Sequence, residues 1–262
     1  MIHLYPFIIV TGLLCEAAVV LMTGLLMSLG LPAVWAAALF VLATVVTFAG
    51  AVMSAVGMHQ KQVSILVQEL DPQRFIQVYE PLLPKAAKQP AQALTMHAYL
   101  STAYANLGQF DRALQLLDAC PAVQPADRPR AEALLLGNRC LILFQQGKTK
   151  QALDCLTRLE SRIKADRALG EDVELSARLL RARADALKGW AGDLERMRRV
   201  AAGAQPPFYA AANQELLGRM LLAAGKPDEA RAALERAAAF GDTIWAGREA
   251  ARLLRDMAQG EG

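Results

Sequence analysis

The chain has 262 residues, 54% of them hydrophobic, and its mean hydropathy is positive at +0.23. Against 25 Asp and Glu stand 28 Lys and Arg, a net charge of only +3 that excludes a global attraction to nucleic acid. The four cysteines, at 15, 120, 140 and 155, form no CxxC and have no histidine at metal-ligand spacing, which excludes a zinc centre and reads as buried free thiols.

The hydrophobic excess sits at the N-terminus. Before Lys61 the only acidic or basic side chain is Glu16. Two apolar stretches, 6–29 and 34–57, each reach the ~20 residues needed to cross a ~30 Å hydrocarbon core. Gly30-Leu31-Pro32 separates them so briefly that the expectation over 1–57 is a tight two-helix transmembrane hairpin. No basic region precedes the first stretch, so a cleaved signal peptide is not expected. The tail and the connection carry neither Lys nor Arg, whereas Lys61, Arg74, Lys85 and Lys88 follow the second stretch. The positive-inside rule then makes this a multi-pass membrane protein with both termini in the cytoplasm. A carboxylate at mid-span costs about 2.5–3.5 kcal/mol on insertion scales, so Glu16 needs a partner. Thr44 and Thr47 lie at similar depth on the second helix and can supply a hydroxyl; the other readings are a contact with a second membrane protein, or a proton or ion site.

Residues 58–93 form a degenerate helical pair and a connection. Val63, Leu66, Val67 and Leu70 continue the second helix. Asp71 is placed to cap the next one, with Pro72 at its first position. Phe75, Ile76, Tyr79, Leu82 and Leu83 give that helix its buried face, and residues 84–90 read as a hinge.

From Leu94 the pattern changes to paired amphipathic helices. Ala98, Leu100, Ser101 and Tyr104 make one stripe and Phe110, Ala113, Leu114, Leu117 and Cys120 another, at a spacing near 3.6. Gly108 lies between them, where a tight turn needs positive φ, and Pro125 closes the unit. The pattern returns at 211–244 with Leu217, Gly218, Leu221, Gly225, Ala230, Leu234 and Ala237. It returns in weaker form at 133–166 with Cys140, Leu143, Gly147, Ala152, Leu156 and Leu159, and again around Gly189 at about 175–208. The turn glycines 108, 147, 189 and 225 are 39, 42 and 36 residues apart. Trp245–Ala258 is one more amphipathic helix, read with the tail to 262 as a solvated cap.

These residues resemble the tetratricopeptide repeat, a helix–turn–helix unit of ~34 residues. His97 departs from it where a tryptophan is usual, and Cys120 where alanine is usual. The resemblance implies an all-α fold, an α-solenoid following the hairpin, of the kind found in membrane-anchored bacterial proteins. It also implies a concave surface, lined by the first helix of each repeat, that holds a protein or peptide. Its groove positions fall on Thr102, Asn106, Asn138, Leu141, Arg183, Glu215, Arg219 and Leu222. Asn138 matches an asparagine of the carboxylate-clamp subtype, but Ala98, Thr102, Ser176 and Leu180 leave that clamp incomplete. Arg183 and Arg219 suit a partly acidic peptide.

No catalytic motif is present. His3, His59 and His97 are far apart, and neither HExxH, GxSxG nor a phosphate loop occurs. Arg178, Arg181, Arg183, Lys188, Arg196, Arg198 and Arg199 make one basic run, read as a solvated face; no aromatics interleave with it, so nucleic acid is not expected. The expectation is a non-enzymatic, membrane-anchored scaffold, without cofactor or metal, that recruits a protein or peptide. The alternative is an accessory subunit of a membrane transport or envelope-assembly complex, its hairpin contacting other membrane helices through Glu16.

Overall fold

The structure is a computed structural model that describes Ala17, residues 19–24, Ser28, Gly30 and residues 32–260 except Ala204, the side chains of 51–62 and a few others aside. Among the described residues all regular structure is helical. The chain divides into two units, residues 1–64 and 65–262.

In the first unit, helix α1 (Ala33–Val67, 35 residues) starts after Pro32, whose carbonyl accepts a hydrogen bond from the Trp35 amide at 2.9 Å. The expected transmembrane hairpin is not borne out. Among the described residues no helix is long and apolar enough to cross a membrane. The second apolar stretch, 34–57, is not a helix of its own. It has no boundary at 57 and runs on through His59, Gln60, Lys61 and Gln62 into the second unit's sequence. The multi-pass placement with cytoplasmic termini falls with the hairpin. Most of the first stretch, 6–29, and Glu16 itself lie outside the described residues. Thr44 and Thr47 are half-buried on α1, on the same side as Phe40 and Ala43.

The second unit opens with α2 (Pro72–Tyr79) and α3 (Leu83–Ala86), joined by a 3₁₀ turn over Glu80–Leu82. Asp71 caps α2 as its sequence indicates: its Oδ1 accepts from the Arg74 amide at 2.9 Å, satisfying an N–H that has no partner within the helix. In the stretch read as a hinge, 84–90, residues 84–86 belong to α3, a turn follows over 87–89, and Pro90 opens the next helix. Glu80 ties this pair to the next helix. Its carboxylate accepts from the Tyr104 hydroxyl at 2.7 Å and from Arg112 at 2.8 Å. The Arg112 hydrogen bond, working against burial, holds the Glu80 carboxyl below the ordinary range.

Four helix pairs follow: α4 (Pro90–Asn106) with α5 (Phe110–Asp118), α6 (Arg128–Gln145) with α7 (Thr149–Ala165), α8 (Glu171–Leu187) with α9 (Leu194–Ala202), and α10 (Pro207–Ala223) with α11 (Pro227–Ala238). A last helix, α12 (Trp245–Gly260), ends the unit. The turn glycines 108, 147, 189 and 225 have φ of +76, +78, +81 and +67°. At Gly108 this left-handed step lets the Gln109 amide reach back to the Tyr104 carbonyl at 2.9 Å and close the end of α4. The first helices α4, α6 and α10 pack on their own partners, α9 packs on α10, and each first helix packs on the first helix of the next pair or, for α10, on α12.

Small residues allow that approach: Ser101 and Ala113 are fully buried, and a Cβ at Gly218 would stand 2.6 Å from Leu234. The largest core cluster joins α6, α7 and α8 through Leu136, Leu143, Leu156, Leu159, Val173 and Leu180. Burying each such leucine contributes about 1.5–3 kcal/mol. Cys140 and Cys155 fill this core as small apolar groups, and burial pushes the Cys140 thiol up to about 12. His97 is packed too. Its Nδ1 donates to the Leu116 carbonyl at 2.7 Å, which fixes that nitrogen as protonated.

The array closes on itself. Leu70, with φ +56°, packs in one cluster with Phe208, Ala211, Phe240, Ile244 and Trp245. The Tyr99 and Tyr209 hydroxyls hydrogen-bond each other. Asn106, at the end of α4, meets the start of α12, 139 residues later in the chain.

Candidate functional site

The expected groove positions fall on α4, α6, α8 and α10, and closure joins four of them into one network. Asn106 uses every polar group it has there. Its Nδ2 donates to the Thr102 carbonyl at 2.8 Å, and its Oδ1 accepts from the Trp245 amide at 2.8 Å. Its backbone carbonyl accepts from Arg248. The Trp245 amide is a free N–H at a helix start, so Asn106 caps α12 from the far end of the array. Thr102 turns its own hydroxyl inward to the Ala98 carbonyl at 2.9 Å.

Arg183, Glu215 and Arg219 form the second group. Glu215 is fully buried, and its carboxylate accepts two hydrogen bonds from Arg183, at 2.6 and 3.3 Å. Arg219 donates to the same carboxylate and also to Glu249 on α12. Arg252 joins through Glu249 at 2.7 and 2.9 Å and reaches Asp256 at 2.6 Å. Burial works to raise the Glu249 carboxyl, but Arg252 and Arg219 outweigh it and hold it below the ordinary range. The Trp245 ring lies between the two inner arginines, its centroid 5.1 Å from the Arg183 guanidinium and 6.0 Å from that of Arg219. Three arginines meet three carboxylates, so the cluster is neutral. Side-chain exposures of 7% at Arg183 and 0% at Glu215 leave little for an outside ligand to touch.

Asn138, Leu141 and Leu222 are half-buried on the same helices. Leu141 packs against the α6–α8 core, and Leu222 against the cores under α9 to α12. The groove set therefore splits: Asn106, Arg183, Glu215 and Arg219 are joined by closure, and Asn138 and Leu141 stand apart from that network. Trp245, Arg248 and Glu249 belong to it and were not among the groove positions. A repeat-to-repeat offset marks Glu249 alone: Arg183 and Glu215 are 32 residues apart, and Arg219 and Glu249 are 30, close to the ~34 residues of the repeat this sequence resembles.

Four members of the basic run over 178–199, Arg178, Arg181, Arg183 and Arg198, are answered by neighbouring carboxylates. Arg181 grips Glu160 with two bonds at 2.6 and 2.9 Å, Arg178 pairs with Glu174 at 3.0 Å, and Arg198 pairs with Glu195 and Glu229. On the outer side, α9, α10 and α11 leave a cleft of about 450 Å³. Its floor is Ala201, Leu217 and Leu221, and its rim is Arg198, Gln214, Glu229 and Arg236. Among the described residues no group of three or more His, Cys, Asp or Glu could hold a metal ion.

No protein-family model, curated protein or solved structure matches the chain.

Proposed function

We propose that the helix array of residues 65–262 is a non-enzymatic scaffold that holds a segment of a partner protein in the outer cleft between α9, α10 and α11. The tetratricopeptide resemblance supplies the class of function; the cleft supplies the seat. An apolar floor inside a polar, arginine-bearing rim has the anatomy of a protein-binding patch. Its volume suits one or two large side chains of a bound peptide. The inner face, where the resemblance would put the ligand, has its charged groups paired with one another. An extended or helical segment with an apolar anchor and flanking polar groups of both signs fits the cleft best.

A photo-crosslinking residue at Ala202 or Ala232, on the exposed lips of the cleft, tests the reading in cells. Both positions are expected to capture the same partner, and Arg198→Glu with Arg236→Glu to abolish capture. Adducts that form from Thr102 and Leu222 on the inner face, and not from Ala202 or Ala232, would reject this seat.

A further inference from the structure

The first unit carries a feature that the scaffold reading leaves unused. Along α1, Val34, Trp35, Val41, Leu42, Val45 and Val46 are between 58% and 79% exposed. At 3.6 residues per turn these six fall within one arc of about 140°, and the half-buried Phe40, Ala43, Thr44 and Thr47 lie on the opposite side. The exposed arc leaves open on the order of 700 Å² of apolar surface, above the few hundred that a monomer ordinarily shows and near the roughly 800 that each partner of a stable interface buries.

We propose that this arc is a self-association surface, on which α1 of one copy of the chain packs against α1 of a second copy. Three observations select a second copy as the occupant. The arc holds both knobs and holes: exposed Ala38 and Ala49 lie near its middle, flanked by Val41, Val45, Trp35 and Leu42. One helix can therefore set its valines beside the alanines of the other, and the same patch serves both sides, as a two-fold interface requires. Val34, Ala38, Val41 and Val45 follow one another at four-, three- and four-residue steps, the spacing of a helix–helix seam. No Asp, Glu, Lys or Arg occurs from Ala33 to Gln60, so two copies meet without like-charge repulsion, and a charged partner segment would find nothing to pair with.

Cysteine crosslinking of the full chain, with Cys15→Ser and, at a half-buried position, Cys120→Ser to remove competing thiols, tests the proposal. Single cysteines at Val41, Leu42, Val45 and Val46 are expected to give a disulfide-linked dimer on mild oxidation, and cysteines at Phe40 and Ala43 to give at least tenfold less. Val45→Glu, placed on the arc, is expected to abolish the dimer formed through Leu42→Cys, with helix content unchanged by circular dichroism. Crosslinking with no dependence on which side of the helix carries the cysteine would indicate unspecific aggregation and overturn the proposal. A monomer by light scattering that yields no dimer at any position would overturn it as well. So would a chain that is captured by phosphatidylcholine vesicles and gives no dimer, since lipid would then be the occupant of the arc.

Discussion

Glu215→Gln is expected to destabilise the helix array severely, although it keeps the size and shape of the side chain. Glu215 is fully buried and faces Arg183, whose side chain is only 7% exposed. Removing the carboxylate charge leaves the Arg183 guanidinium desolvated with no counter-charge, because Arg219 alone has a second carboxylate, Glu249, to fall back on. Breaking one side of a buried pair costs about 3–5 kcal/mol. A domain of this size has a total stability of about 5–15 kcal/mol, so the loss is a large share of it. At roughly 2–4 °C per kcal/mol, the melting temperature should fall by about 6–20 °C. The complementary change is Arg183→Met together with Glu215→Leu, which removes both charges and keeps the volume. It should recover most of that stability, since replacing a buried pair by apolar groups is near neutral. Urea unfolding followed by circular dichroism, with the slope checked for constancy, measures both. A loss below about 1 kcal/mol for Glu215→Gln, at unchanged slope, would refute the view that these charges are held out of water by the closed array.

Three further outcomes are expected. Asn106→Ala removes the cap on the first turn of α12 and should cost about 0.5–2 kcal/mol, with faster amide exchange at 245–248 as its local sign. Gly247→Ala should be worse than its small size implies, about 3 kcal/mol or more, because the new Cβ would lie 1.9 Å from the Gly241 carbonyl oxygen and backbone must move to admit it; a urea midpoint close to that of the parent chain would show the approach to be looser. The Cys140 thiol titrates near 12 in the fold against an ordinary value of 9.0. Its raised value means that the associated stability is fully present below pH 9 and is lost as pH rises toward 12, on the order of 4 kcal/mol in all. Cys140→Ala should therefore show a shallower alkaline loss in urea titrations between pH 9 and 11.

Local features of the array were legible because they depend on a few neighbouring residues. The turn glycines lie between paired apolar stripes, and all four adopt the positive φ that only glycine takes at low cost. Leu100, Ser101, Ala113 and Leu117 lie on 3.6-residue stripes, and all are buried. The Asp71 cap followed from an acidic residue before a proline. Closure was not legible, since no local pattern at Asn106 announces a partner 139 residues away. Arg183 and Arg219 have the look of groove cations in a sequence, where an offset near one repeat is the one sign that Glu215 and Glu249 meet them. The apolar N-terminal stretches misled for a different reason. Counting apolar residues gives the length of a stretch, and only the helix boundary shows whether the stretch stands alone; α1 runs through 57 without one.

Closure also changes how the array should unfold. An open solenoid is held by nearest-neighbour contacts, so its end helices fray first and its stability is close to a sum over repeats. Here α4 and α12 are joined through Asn106, Trp245 and Arg248, and the Leu70 cluster joins the segment before α2 to Phe208 and Ile244. Opening either end therefore removes contacts from the other. Native-state hydrogen exchange should find the slowest amides of α4 and α12 opening with the same free energy, within about 1 kcal/mol, and not in a gradient from the ends inward. In Asn106→Ala the coupling should weaken, with α12 opening at lower free energy than α4. A gradient already present in the parent chain would mean that the array behaves as an open stack. In that case the inner face is accessible on the timescale of opening, and a partner could reach Arg183 and Arg219 after all.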